Sequence, residues 1–168
     1  MPHLQFETNF PADAGEKKRF AGAVVRRFSE IMDTGTDHIG ITIRTFAHGD
    51  MTFGRAEEAD GRIVFMNADI RLGRTREQKR RLALAVMTEI EKAWGIPQRS
   101  VYVIYTEHDG EHFQLSDRVL PSWTAGEDPL ADPPAASKGA SRPARAGPAK
   151  PGKKRGKQPK KPARRRAR

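Results

Sequence analysis

"HLQFETNFPADAGEKKRFAGAVVRRFSEIMDTGTDHIGITIRTF" (residues 3–46) decides the fold. Its opening alternates: Leu4 and Phe6 fall on one side, and His3, Gln5 and Glu7 on the other, as in a half-buried strand over 3–8. "NFPADAGE" then reads as a turn and helix start. Asp13 and Glu16 lie near the helix N-terminus, where the macrodipole favours negative charge. Phe20, Val24, Phe28 and Ile31 recur along one face at the helical period and predict a helix over 14–32, which "DTGTD" stops. In "HIGITIRTF" (38–46), Ile39, Ile41 and Ile43 alternate against Gly40, Thr42 and Arg44, a second strand. A strand, a long helix and a strand form a β-α-β unit. The crossover is long enough to make the two strands parallel.

The pattern then repeats. "AHGD" turns, "MTFGR" (51–55) gives a short extension and "EEADGR" turns again. "IVFMNADI" (63–70) reads as a strand and "RLGRT" as a loop. Leu82, Val86, Ile90 and Ala93 mark a helix over 75–94, "GIPQR" breaks it, and "VYVIYTE" (101–107) is the fourth strand. Residues 111–123 are irregular, with a small hairpin ending at Trp123. Two β-α-β halves of similar length predict an α/β (α+β) domain, a four-stranded sheet with both helices on one face. The other face is left uncovered. Val64, Met66, Tyr102 and Ile104 are expected on it, and a second copy of the chain is expected to bury it.

Charge divides the chain. Residues 1–124 hold 17 Lys/Arg and 18 Asp/Glu, whereas residues 125–168 hold 14 and 3, so the overall +10 belongs to the tail. A nucleic-acid function for the folded part does not follow from the net charge. Two units are expected, a domain over 1–124 and a disordered, basic Pro/Ala/Lys/Arg-rich tail over 125–168. The tail has no aromatic residue on which a base would stack. It is expected to bind nucleic acid or other polyanions non-specifically. No apolar run approaches the roughly 20 residues of a membrane span. No basic-then-apolar leader is visible, and the absence of Cys excludes disulfides and thiol chemistry. A cytoplasmic location is expected. "HDGEH" places His108 and His112 four apart, but on a turn at Asp109-Gly110 rather than a helix, so neither a metal nor a cofactor is called for.

The amino terminus stands out. A Pro at the head of a strand gives up no needed ladder donor. An initiator Met before such a small residue is normally clipped. Pro2 would then carry a free secondary amine that, if neutral near pH 7, serves as a base or nucleophile.

These pieces together resemble the tautomerase superfamily, and most of all its macrophage migration inhibitory factor group. "MPHLQFETN" is similar to that group's opening, including Thr8-Asn9. "MTFGR" places Met51, Phe53 and Gly54 at its Met-x-Phe-Gly segment. "IPQRSVYVIYTE" resembles the stretch after the second helix, with Tyr102 at the place of the active-site Tyr. In "DIRLGRT", Arg71 and Arg74 resemble the Arg pair of the cis-3-chloroacrylic acid dehalogenase group, which binds substrate carboxylate. The sequence also departs from both groups. Ser29 and Leu115 fall where the dehalogenases have their His and Glu; Asp33-Thr34 and Ile104 fall where the inhibitory factors have their Lys and Asn. The resemblance over residues 2–123 implies this fold, a homotrimer with active sites at subunit boundaries, and chemistry at Pro2.

The activity so implied is cofactor-independent tautomerisation of a small 2-keto or enol acid. Pro2 would be the general base, Arg71 and Tyr102 its catalytic partners, and Arg71 with Arg74 the carboxylate site. Two alternatives stand beside it. A cationic Pro2 would favour hydration, dehalogenation or decarboxylation of an unsaturated or keto acid, with Glu107, Glu111 or Asp117 to activate water. A catalytically idle trimer would present the basic tails to polyanions.

Overall fold

A computed structural model describes residues 2–56 and 61–128. Residues 129–168, and with them most of the basic tail and what is expected of it, lie outside the described residues.

Six elements follow the predicted order: β1 (His3–Thr8), α1 (Ala14–Met32), β2 (Gly40–Thr45), β3 (Val64–Arg71), α2 (Arg76–Trp94) and β4 (Val101–His108). Both helices start on capping boxes. Asp13 accepts from the Glu16 backbone N–H while the Glu16 side chain reaches back to the Asp13 N–H; Thr75 and Gln78 repeat the arrangement. Each box satisfies two amide donors that a helix N-terminus leaves open. At the far end of α2, Gly95 takes the left-handed conformation that stops it.

The sheet order is β2-β1-β3-β4. Each β-α-β unit pairs its own strands in parallel, and the two units join through antiparallel β1 and β3, with His3 opposite Asp69 and Thr8 opposite Val64. The first strands of both halves therefore sit at the centre, and the start of β1 lies beside the end of β3. Thr8 and Asn9 hold the other end of this pairing. Thr8 Oγ1 donates to the Ile63 carbonyl at 2.9 Å, and Asn9 Oδ1 accepts from the Ile63 N–H at 2.9 Å. The Thr-Asn pair at the end of β1 thus fixes register across the two halves.

The core lies between sheet and helices. Leu4, Phe6, Val64, Met66, Ala68 and Ile70 meet Phe20, Val24, Phe28, Leu82, Val86, Ile90 and Trp94. Phe20 is its hub, edge-on to Phe6 at 5.0 Å and against Trp94 at 4.4 Å.

Three expectations are corrected. Val64 and Met66 belong to this core, not to the open face, because the two-residue period that puts Ala68 and Ile70 under the helices carries them too. The open face instead shows Phe65, Tyr102 and Ile104 among polar groups such as Gln5, Asn67, Asp69 and Thr106. The expected extension at 51–55 is a 3-10 turn over Gly54–Ala56, closed by the Ala56 N–H on the Phe53 carbonyl at 2.8 Å. The hairpin expected after β4 is reduced to one antiparallel bridge, Gln114 to Val119.

Candidate active site

The register gathers chemistry at one end of the sheet. Continued by one residue, it sets Pro2 between Ile39 and Ile70, and the Pro2 carbonyl accepts from the Gly40 N–H at 3.0 Å. Pro2 is buried. Arg71 closes β3, and a turn at Gly73 (φ 115°) leads to Arg74, next to the cap of α2. A side chain at Gly73 would meet the left-handed penalty and stand 3.1 Å from the Trp123 carbonyl.

The two guanidinium groups are buried, Arg71 at 1 % exposure and Arg74 at 4 %. Arg74 Nη1 donates to the Arg71 carbonyl at 2.9 Å, and its plane lies 4.9 Å from the Trp123 ring centre and 5.9 Å from that of Phe28. Burial lowers the pKa of both. That of Arg74 falls to about 10, with the Arg71 charge as a second cause and Glu107 opposing. Arg71 Nη1 donates to the Pro121 carbonyl at 2.8 Å, and both terminal nitrogens meet the Glu127 carboxylate. Arg71 Nε, Arg74 Nε and Nη2, and Trp123 Nε1 are buried donors with no hydrogen-bond partner. Donors left unpaired in a dry site are costly, and four of them around two positive charges favour an anion.

His38 completes this end. It is 3 % exposed, with Nε2 at 3.2 Å from Thr34 Oγ1. Its pKa is lowered to about 4, first by burial, then by the amino terminus, Arg71 and Arg74, with Asp128 opposing. Burial chiefly keeps this imidazole neutral, and the two guanidinium groups act in the same direction.

The structure brings Pro2, Arg71 and Arg74 to one end of the sheet, but not Tyr102. Tyr102 pairs with Phe65 at the start of β3, whereas Arg71 pairs with His108 at its end. Six residues of parallel strand separate the two positions, about 20 Å. Tyr102 lines a second place, an open-face cleft of about 530 Å³ with Phe53, Phe65 and Ile104, its ring 6.0 Å from Phe53 and 6.3 Å from Phe65. The carboxylates named for water activation are turned elsewhere. Glu107 pairs with Lys79 at 2.6 Å, Asp117 with Arg118 at 2.7 Å, and Glu111 is exposed.

Sequence reasoning missed His38 and Glu127. His38 reads as a strand residue in "HIGITI", and nothing local marks it as buried. Glu127 was placed in the tail, although "GED" is the last acidic cluster before the Pro-rich run and follows a Trp.

Two β-α-β units joined through antiparallel central strands, with Pro2 beside an Arg pair, match the fold of the tautomerase class. The chain is similar to the tautomerases: the family model described as tautomerase enzyme matches residues 65–121, and solved structures bearing tautomerase-superfamily names share its fold. Among these, macrophage migration inhibitory factor from Toxoplasma gondii superposes with a TM-score of 0.62 at 13 % identity, covering 70 % of this chain and 99 % of that one. N1, a member of the cis-3-chloroacrylic acid dehalogenase family, gives 0.64 at 21 % identity, covering 71 % and 84 %. A fused 4-OT described as a symmetric trimer gives 0.62 at 16 % identity, covering 70 % and 94 %. No curated protein sequence matches the chain.

Proposed function

We propose that this chain is a cofactor-independent tautomerase acting on a small 2-keto or enol acid, with Pro2, freed by removal of Met1, as general base. One observation carries the reading: a buried amino-terminal Pro shares its end of the sheet with two buried guanidinium groups that retain unpaired donors. Burial, which is the main cause of the neutral His38, and the nearby Arg71 and Arg74 charges would also disfavour a protonated Pro2 amine.

The substrate carboxylate lies on Arg71, whose planar fork matches two oxygens, and Arg74 holds the adjacent carbonyl oxygen. From the enol, the Pro2 nitrogen takes the hydroxyl proton, and the resulting enolate is stabilised by Arg74. The cationic Pro2 then gives that proton to the neighbouring carbon, which leaves the keto acid and a neutral amine.

Tyr102 lies too far from Pro2 to serve it within one chain. We assign it to the site of a neighbouring copy in a homotrimer, with the Phe65, Tyr102 and Ile104 face at the subunit boundary. The likeness to a symmetric trimer and the exposure of Tyr102 and Ile104, 49 % and 48 %, support this. Hydration of an unsaturated acid is the weaker reading, because Glu107 and Asp117 are held by Lys79 and Arg118. The basic tail beyond residue 128 is an appendage that attracts polyanions and takes no part in turnover.

The test is turnover of phenylpyruvate by untagged protein whose intact mass confirms loss of Met1, beside Pro2→Ala and Arg71→Ala. A general base contributes roughly 10²–10⁴-fold, so Pro2→Ala should lower kcat/KM by at least about 100-fold. Arg71→Ala should chiefly raise KM. Equal turnover by wild type and Pro2→Ala would remove Pro2 from the chemistry.

A further inference from the structure

The fork of Arg71 is already filled from within the chain. Glu127 approaches end-on, Oε2 at 3.2 Å from Nη1 and Oε1 on Nη2, the paired geometry that a substrate carboxylate would adopt. Neither partner is open to water: the Arg71 side chain is 1 % exposed and that of Glu127 11 %.

The segment that delivers Glu127 is closely seated. It begins at Pro121, whose carbonyl lies where a side chain on Gly110 would have to go. Trp123 covers Gly73 and stacks on Arg74. Gly126 passes Asp33, and Asp128 reaches a small cleft lined by Gly35, Thr36, Asp37 and His38. Residues 121–128 thus run from the loop after β4, across the end of β3, to the loop after α1. That path crosses the end of the sheet at which Pro2 lies.

Two features make this contact exchangeable. The segment belongs to no strand or helix, and its described backbone bonds are few: the Leu120 N–H on the Phe113 carbonyl at 3.0 Å before it, and the Glu127 N–H on the Thr124 carbonyl at 3.3 Å within it. Its hold is thus mainly the Arg71 contacts, which an incoming carboxylate can replace. Second, Glu127 leaves Arg71 Nε, Arg74 Nε and Nη2, and Trp123 Nε1 without partners. A free 2-keto acid brings a carboxylate and a neighbouring carbonyl oxygen, more acceptors than Glu127 supplies.

We infer that residues 121–128 form a strap whose Glu127 is an internal carboxylate on Arg71, and that an acid substrate enters by displacing it. The inference rests on the assignment of Arg71 to the substrate carboxylate. It makes Glu127 the residue that sets the affinity threshold: a ligand without a carboxylate has nothing to offer Arg71 in exchange and leaves the strap closed.

The test is calorimetric titration of benzoate, a carboxylate that needs no turnover, into the full chain lacking Met1. Glu127→Gln keeps the shape and removes the competing charge. It should bind benzoate at least tenfold more tightly than wild type, and adding Arg71→Ala should abolish the gain. Equal or weaker binding by a folded Glu127→Gln would overturn the strap. Should that variant not fold, Glu127→Asp retracts the carboxylate by one methylene and should give a gain of several-fold; no gain would overturn the strap equally. Phenylpyruvate kinetics give a second reading. KM should fall in Glu127→Gln, whereas a loss of kcat without a fall in KM would make Glu127 a reacting group and refute the strap. If no form of the protein turns over phenylpyruvate, the tautomerase reading fails, and the benzoate titration still decides the strap.

Discussion

His38 is built to stay neutral, and this ties stability to pH in a direction opposite to that of an exposed histidine in an ion pair. Its pKa moves from 6.5 to about 4 in the folded chain, because it is buried and faces the amino terminus, Arg71 and Arg74. The unfolded chain therefore takes up a proton that the folded chain refuses. The contribution is fully present above pH 6.5 and is lost as pH falls from there toward 4. Each pKa unit is worth about 1.4 kcal/mol, so roughly 2 kcal/mol is gone at pH 5 and about 3 kcal/mol near pH 4. The wild-type curve alone does not isolate His38 from the chain's other ionisable groups. The perturbation is His38→Gln, which keeps a nitrogen near Thr34 Oγ1 and removes the titration. Urea unfolding of both proteins from pH 7.5 to 5 gives the answer as a difference. The variant should be the less stable at pH 7, and the gap should shrink by about 2 kcal/mol by pH 5. A gap that stays constant over this range would refute the argument and place His38 in a wetter, less positive site.

Two further substitutions probe the scaffold. Phe20→Ala removes a buried ring that joins Phe6 to Trp94 and should cost about 3–5 kcal/mol by chemical denaturation, with turnover per folded molecule little changed. Gly110→Ala forces its new methyl group against the Pro121 backbone. It should destabilise by about 1–3 kcal/mol as an overpacked site does, and benzoate affinity should rise with it because Glu127 is levered off Arg71.

The fold was readable because each element carries its own period. Leu4 and Phe6 against Gln5 and Glu7 specify a strand, and Phe20, Val24 and Phe28 a helix. The crossover lengths then leave few topologies. Which face of β3 turns inward was harder. Residues 63–70 are apolar at nearly every position, and only pairing with β1 puts Val64 and Met66, rather than Phe65, beneath the helices. The candidate site was legible in part for the same reason. Pro2, Arg71 and Arg74 are tied to element ends, and β1 and β3 bring those ends together. His38 and Glu127 have no such anchor. Both lie in irregular backbone, and their roles come from contacts 33 and 56 residues along the chain, with Arg71 in each case, that no local pattern announces.

Charge ties these late arrivals to the chemistry. Two buried guanidinium groups in a dry site would be hard to hold without a counterion, since uncompensated buried charge is strongly destabilising. With Glu127 in place the pair carries one net positive charge. When a substrate carboxylate replaces Glu127, the count is the same. On the proposed reading, the charge balance around Pro2 is then nearly equal in the empty and loaded states, and a Pro2 base would be ready before the substrate arrives. A site that relied on the substrate alone to balance Arg71 would change its field at the moment of binding, and the pKa of Pro2 would rise with it. An internal carboxylate is therefore more than a competitor. On the proposed reading it would balance Arg71 in the resting site and leave Pro2 ready as a base, while lowering affinity for the acid that displaces it.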